Sequence, residues 1–172
     1  MIAMLSSKMI VKAQCKDNLE SSGRHETRRM AEFHGSWKYV SADNFDNYLK
    51  EIGVNVVLRK LAVLASPTVI FGIENESENQ ANPTWFMRTE TAVKNAIARF
   101  KLNETFKETT IDDRKVDSEF SIEKEALIQR QKDAKGQVSV IKRELAENGT
   151  IMHVTITVNR VVSTALFKKI YK

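Results

Sequence analysis

Residues 33–67 read FHGSWKYVSADNFDNYLKEIGVNVVLRKLAVLASP, and a change of period inside this stretch decides the fold. From His34 to Val40 apolar and polar side chains alternate, as in a half-buried strand whose successive side chains point to opposite faces. The period then lengthens. Ser41 and either Asp43 or Asn44 offer oxygens for a helix N-cap, and Phe45, Tyr48, Leu49 and Ile52 follow at i, i+3, i+4 and i+7 as one amphipathic stripe. Gly53 ends that helix. A second helical pattern covers 55–64, with Val57, Leu61 and Leu64 on one side, and Pro67 cannot continue a helix interior. The unit is strand, helix, tight turn, helix.

Beyond Pro67 strand signals recur at 68–73, 85–91, 93–103, 105–109, 116–122, 126–132, 138–145, 150–159 and 160–171, divided by polar turns. Ala98, Phe100 and Leu102 share one face, and Met152, Val154, Ile156 and Val158 another. Closely spaced strands in one meander predict an all-β barrel or sandwich. The stretch 119–132 competes with this reading, because its Glu, Lys and Gln content favours a helix by propensity alone. The segment 74–83, acidic and poor in apolar residues, reads as a long loop.

A chain of 172 residues fits one domain with a usable core. Its 27 basic and 22 acidic residues give +5, of which residues 1–31 hold six basic and three acidic, or +3. No basic stripe of the kind a nucleic-acid binder concentrates on one face appears in the strands. The single Cys15 excludes an internal disulfide and suits a reducing compartment. No run approaches the ~20 apolar residues of a membrane-spanning helix. Met9-Ile10-Val11, flanked by Lys8 and Lys12, is shorter than a secretory apolar core. His25, His34 and His153 are scattered, with no metal-ligand spacing, and Asp112-Asp113-Arg114 reads as a turn. These absences favour a binding protein without metal or cofactor over an enzyme.

Phe33-x-Gly35-x-Trp37-Lys38, Ser41-x-x-Asn44-Phe45-Asp46-x-Tyr48-Leu49-Lys50, Gly53-Val54 and Arg59-Lys60-Leu61-Ala62 fall in one register, which continues through Phe100-Lys101-Leu102, Phe106, Thr110 to Val116 and Ile141-Lys142-Arg143. From about Glu32 to the C-terminus the chain resembles the intracellular lipid-binding proteins, the fatty-acid-binding protein family of the calycin superfamily. The resemblance implies a ten-stranded antiparallel up-and-down barrel of two orthogonal sheets under a helix-turn-helix lid. It divides the chain into a flexible extension, 1–31, and a barrel, 32–172. It also makes 119–132 two strands around a turn at Glu123-Lys124-Glu125. The function it implies is that of a cytoplasmic, monomeric carrier. Such a carrier takes a long-chain fatty acid or a derivative and delivers it to membranes or to a nuclear receptor partner.

In that family an Arg on a late strand and an Arg-x-Tyr pair on the last strand usually hold the fatty-acid carboxylate. Arg143 matches the first, but Ala165 and Phe167 stand where the second Arg and the Tyr are expected. A carboxylate in a dry cavity needs charged hydrogen bonds to recover its lost hydration. With one cation and one hydroxyl fewer, preference is expected to move toward neutral heads such as acyl amides, alcohols or esters. A carrier that still takes fatty acids through Arg143 alone is the other reading. Arg143 itself reads either as inward, sharing a face with Ile141, or as an outward cation paired with Glu144. Gln129 and Gln131 are candidate amide contacts to the head group, and Phe45, Val57, Leu61, Val93, Phe100 and Ile156 are candidate lining residues. Lys50, Arg59 and Lys60 fall where some family members assemble a nuclear import signal, and read equally as a solvated or membrane-contacting lid face. An interaction module acting through the basic lid is the alternative from another functional class.

Overall fold

The computed structural model describes residues 21–74 and 83–171. A helix, α1, occupies residues 21–32, and β1 (Gly35–Asp43) follows it. The lid helices α2 (Phe45–Glu51) and α3 (Val56–Leu64) come next, then β2 (Thr68–Ile73), β3 (Trp85–Glu90), β4 (Asn95–Phe100) and β5 (Thr105–Thr109). The chain closes with β6 (Lys115–Glu123), β7 (Ala126–Lys132), β8 (Val138–Ala146), β9 (Ile151–Val158) and β10 (Val161–Ile170).

Every strand pairs antiparallel with its neighbour in sequence except β4 with β5, and β1 also pairs with β10. The first and last strands thus meet, and among the described residues the one break in the ladder lies between β4 and β5. There Leu102 bridges to Phe120 of β6, and the Asn103 N–H donates to the Phe120 carbonyl at 2.7 Å. The result is the expected ten-stranded, nearly closed barrel. Pairing of β1 with β10 leaves unpaired edges only at β4 and β5 among the described strands, where the Leu102–Phe120 bridge partly covers the gap.

The stretch 119–132 forms β6 and β7 despite its helical propensity. Lys124 (φ 46°) and Glu125 (φ 66°) both adopt left-handed backbone, the two-residue turn whose twist matches that of the flanking strands. Cross-strand burial of Phe120, Leu127 and Gln129 outweighs the small propensity differences.

The meander places alternate turns at opposite ends. At one end Phe33, Trp37, Phe71, Trp85, Phe100 and Phe120 are buried in one cluster, against which Phe106 packs. The Phe100 and Phe120 rings stack with centroids 3.8 Å apart, and the Trp37 indole N–H donates to the Phe33 carbonyl at 2.8 Å. Helix α1 sits on this end. Met30 is fully buried in the cluster, the Arg29 Nε donates to the Glu125 carbonyl at 2.8 Å, and the Asn103 amide donates to Glu26 at 2.8 Å. Residues 21–31, read from the sequence as flexible extension, therefore include a helix tied to two barrel turns. Residues 1–20, with Cys15 and the Met9-Ile10-Val11 patch, and most of the 74–83 loop lie outside the described residues.

At the other end α2 packs Tyr48 and Leu49 against Val158. The N-cap reading of this helix needs correction. Asn44 occupies the cap position in left-handed backbone (φ 57°), but its side chain makes no cap bond. Its amide donates instead to the Val162 carbonyl at 2.6 Å, tying the start of α2 to β10, while Ser41 and Asp43 remain in β1. Asn55 does cap α3, its Oδ1 accepting from the N–H groups of Val57 and Leu58.

Candidate functional site

Inside the barrel lie two adjoining cavities. The larger, about 500 Å³, is walled chiefly by apolar groups, among them Phe45, Ala62, Val69, Met152, Val154, Ile156, Ala165 and Phe167. The smaller, about 180 Å³, is also largely apolar, with Leu49, Ile52, Met87 and Ala98 on its walls, but Glu108, Asp112, Arg114, Gln129 and Gln131 reach into it. Phe45, Thr89, Ile111, Ile141, Arg143 and Ile156 border both.

Strand alternation aims these side chains. On β8, Ser139, Ile141 and Arg143 point in, while Lys142 and Glu144 point out and pair at 2.7 Å. On β5, Phe106 and Glu108 share the inward face. On β10, Ala165 and Phe167 do so, with the Phe167 ring edge-on to Tyr39.

Arg143 is 7% exposed, which excludes the outward reading. Its Nη2 donates to Gln129 Oε1 at 2.9 Å and approaches Met87 Sδ at 3.5 Å, while Nη1 is buried with no partner. The guanidinium also lies over the rings of Phe71 and Phe120, 5.9 and 5.8 Å from their centroids. Burial pushes its pKa down to about 10, opposed by the nearby Glu108 charge, so the group remains cationic at neutral pH.

Glu108 completes the interior network. Its Oε2 accepts from the Gln129 and Gln131 side-chain amides, each at 3.0 Å, and from the Ser118 hydroxyl. Gln129 thereby relays between cation and carboxylate. On the wall nearest the lid, Arg114 pairs with Asp112 at 2.6 Å; burial raises the Tyr48 hydroxyl pKa, against the neighbouring Arg114 charge. Asp112 and Asp113 sit in the expected turn, closed by the Thr110 N–H donating to the Arg114 carbonyl at 2.9 Å.

The barrel brings together Arg143, Gln129, Gln131, Ala165, Phe167, Phe45 and Ile156 around the cavities. It does not bring Val57, Leu61 or Val93 there. These are 65%, 62% and 94% exposed, because α3 spans the barrel mouth with no sheet beneath that face, and Val93 tips the tight turn closed by Thr91 and Lys94. Phe100 is buried, but in the aromatic end rather than on the cavity wall. Of the lid cations, Lys50 and Lys60 are exposed, whereas Arg59 bonds Asp46 at 2.9 Å and the Val54 carbonyl at 3.3 Å. Sequence reasoning missed Glu108, whose signal was its i+2 spacing from the inward Phe106.

No family model matches the chain. Individual proteins do. The chain is 36% identical over 138 residues to Fatty acid-binding protein 9 of Homo sapiens, a match covering 80% of this chain and 97% of that protein. The chain belongs to the fatty-acid-binding protein family. A fatty acid-binding protein of Tyrophagus putrescentiae is 40% identical over 143 residues, covering 81% of this chain and 99% of that one. Among solved structures, a Schistosoma mansoni fatty acid binding protein in complex with arachidonic acid superposes with a TM-score of 0.73 at 33% identity, covering 83% of this chain and 98% of that one.

Proposed function

We propose that this protein is a carrier that buries one long-chain acyl lipid in the barrel, with head-group preference shifted from free fatty acids toward neutral derivatives. Arg143 carries this reading: among the described residues lining the larger cavity it is the one cation, and Ala165, two strands along in the same cross-strand row, and Phe167 add apolar surface to the same cavity. Each buried methylene contributes about 0.8 kcal/mol, so the chain supplies most of the affinity and the head group the discrimination. Displacement of a fluorescent lipid probe from delipidated protein by oleate and by its ethanolamide tests this. The expected result is that the ethanolamide competes at least as well as oleate. A clear advantage for oleate, abolished by Arg143→Ala, would return the protein to ordinary fatty-acid carriage.

Delivery to membranes is supported by α3, which holds Val57, Leu61 and Leu64 exposed beside the exposed Lys60. A transfer rate that rises with acceptor-vesicle concentration, and falls when Leu61 and Leu64 are changed to Ser, is the expected behaviour. Delivery to a nuclear partner has less support, because Arg59 is occupied by Asp46 and the Val54 carbonyl.

A further inference from the structure

Most polar side chains on the wall of the larger cavity are already engaged. The Asn44 amide donates to the Val162 carbonyl, Asn47 donates to Asn44, Asp46 holds Arg59, and the Thr91 hydroxyl donates to the Lys94 carbonyl. Tyr39 is different. It points inward from β1 with its ring edge-on to Phe167, and among the described residues its hydroxyl has no hydrogen-bond partner. Nor is that oxygen one of the buried side-chain atoms left unpaired, which are Trp85 Nε1 and Arg143 Nη1. Tyr39 is half-buried while its neighbours Lys38 and Val40 point outward, so the accessible part of its side chain faces the cavity. The Thr89 hydroxyl also lacks a partner, but it stands two residues from Met87, whose sulfur approaches Arg143 at 3.5 Å.

Tyr39 stands apart from Arg143. The cross-strand row of Arg143 runs through Val154 to Ala165, whereas Tyr39 pairs with Phe167 and Phe167 with Met152. From β8 to β1 the order passes β9 and β10, about 14 Å of wall whose inward side chains here are apolar. A ligand whose head meets Arg143 therefore presents its chain to Tyr39. We propose that Tyr39 is a specificity-determining contact for an acyl chain that carries an oxygen substituent, a hydroxyl or an epoxide, along its length. The phenol donates to that oxygen and, where the substituent is a hydroxyl, can accept from it instead. This assignment rests on the lipid-carrier reading and specifies its ligand.

A plain hydrocarbon chain lying against Tyr39 shuts its hydroxyl away from water and offers no partner in return. A chain oxygen placed against an apolar part of the wall loses its own hydration in the same way. Where the two oxygens meet, both are satisfied, so selectivity depends on the position of the substituent along the chain. A contact made only by the head group shows no such dependence, because the head stays fixed while the substituent moves.

The test uses stearate and a series of hydroxystearates that differ only in where the hydroxyl sits, so the head group cancels from every comparison. Each displaces a fluorescent lipid probe from full-length delipidated protein. At one stretch of the chain the hydroxy acid is expected to compete at least as well as stearate, while at other positions it falls about tenfold below, the cost of an unanswered hydroxyl. Tyr39→Phe keeps the ring against Phe167 and removes only the oxygen. In that variant the favoured hydroxy acid is expected to drop about tenfold relative to stearate and join the others. A series in which every hydroxy acid is weaker than stearate by a similar factor overturns the contact, as does a favoured position that persists in Tyr39→Phe. The native series needs no substitution and so stands even if the variant fails to fold. Failure of stearate and all hydroxy acids to displace the probe sinks the carrier reading itself, whereas displacement without dependence on position sinks only the role of Tyr39.

Discussion

At the end of the barrel beneath α1, Phe100, Phe106 and Phe120 stack on one another, and Met30 of the helix reaches into the same cluster. At the opposite end α3 is equally apolar in sequence, yet none of its residues is buried, and Val57, Leu61 and Leu64 face solvent. The difference lies in what stands underneath. The aromatic end has inward side chains from several strands to close on, while α3 covers a mouth that opens on a cavity. One end stores stability and the other leaves access to the interior.

The sharpest way to break this comparison is to cut matched apolar groups from the two ends. Phe120→Ala is expected to cost about 3–5 kcal/mol, the usual penalty of a large cavity, read as a fall in the urea midpoint. Leu64→Ser on α3 should stay within about 0.5 kcal/mol, as exposed substitutions do. Comparable losses would show that the lid also stores stability. Next in size, Met30→Ala is expected to cost about 2 kcal/mol if α1 belongs to the folded unit. No change in midpoint would mean that α1 merely rests on the barrel.

Smaller still is the turn at the sealed end. Lys124→Gly should stabilise by about 1 kcal/mol, because a side chain at φ 46° is strained and glycine is not. Thermal denaturation would check it, and a lower midpoint would refute it. The smallest effect is acid sensitivity beside the same turn. Hydrogen bonds from Arg130, then from Ser121, hold the Glu123 carboxyl below its ordinary range. Its contribution is therefore present above the usual carboxylate pKa and is lost as pH falls toward the lowered folded value. Arg130→Gln should flatten that part of the stability profile slightly, and a steeper acid limb would contradict the assignment.

Much of this molecule was legible before folding was considered. The switch from period two to period 3.6 after Val40 placed β1, α2 and α3, and i+2 spacing from Ile141 aimed Arg143 inward. The same rule applied to Phe106 would have found Glu108, but an acidic side chain on a short strand reads first as surface. Val57, Leu61 and Val93 misled for the opposite reason. An apolar side chain is informative about burial only when some element lies opposite it, and the sequence carries no record of the open mouth beneath α3 or of the tight turn that throws Val93 outward.

The sequence by itself determined the strand periods, the turn positions and the residues available at 143, 165 and 167, because these follow from local alternation and chain chemistry. Only the tertiary structure decided that Arg143 meets Glu108 through Gln129, that Met30 seals one end, and that α3 stays uncovered. Those contacts join segments far apart in the chain, and they exist only once closure of β1 against β10 has set which faces look into a shared interior.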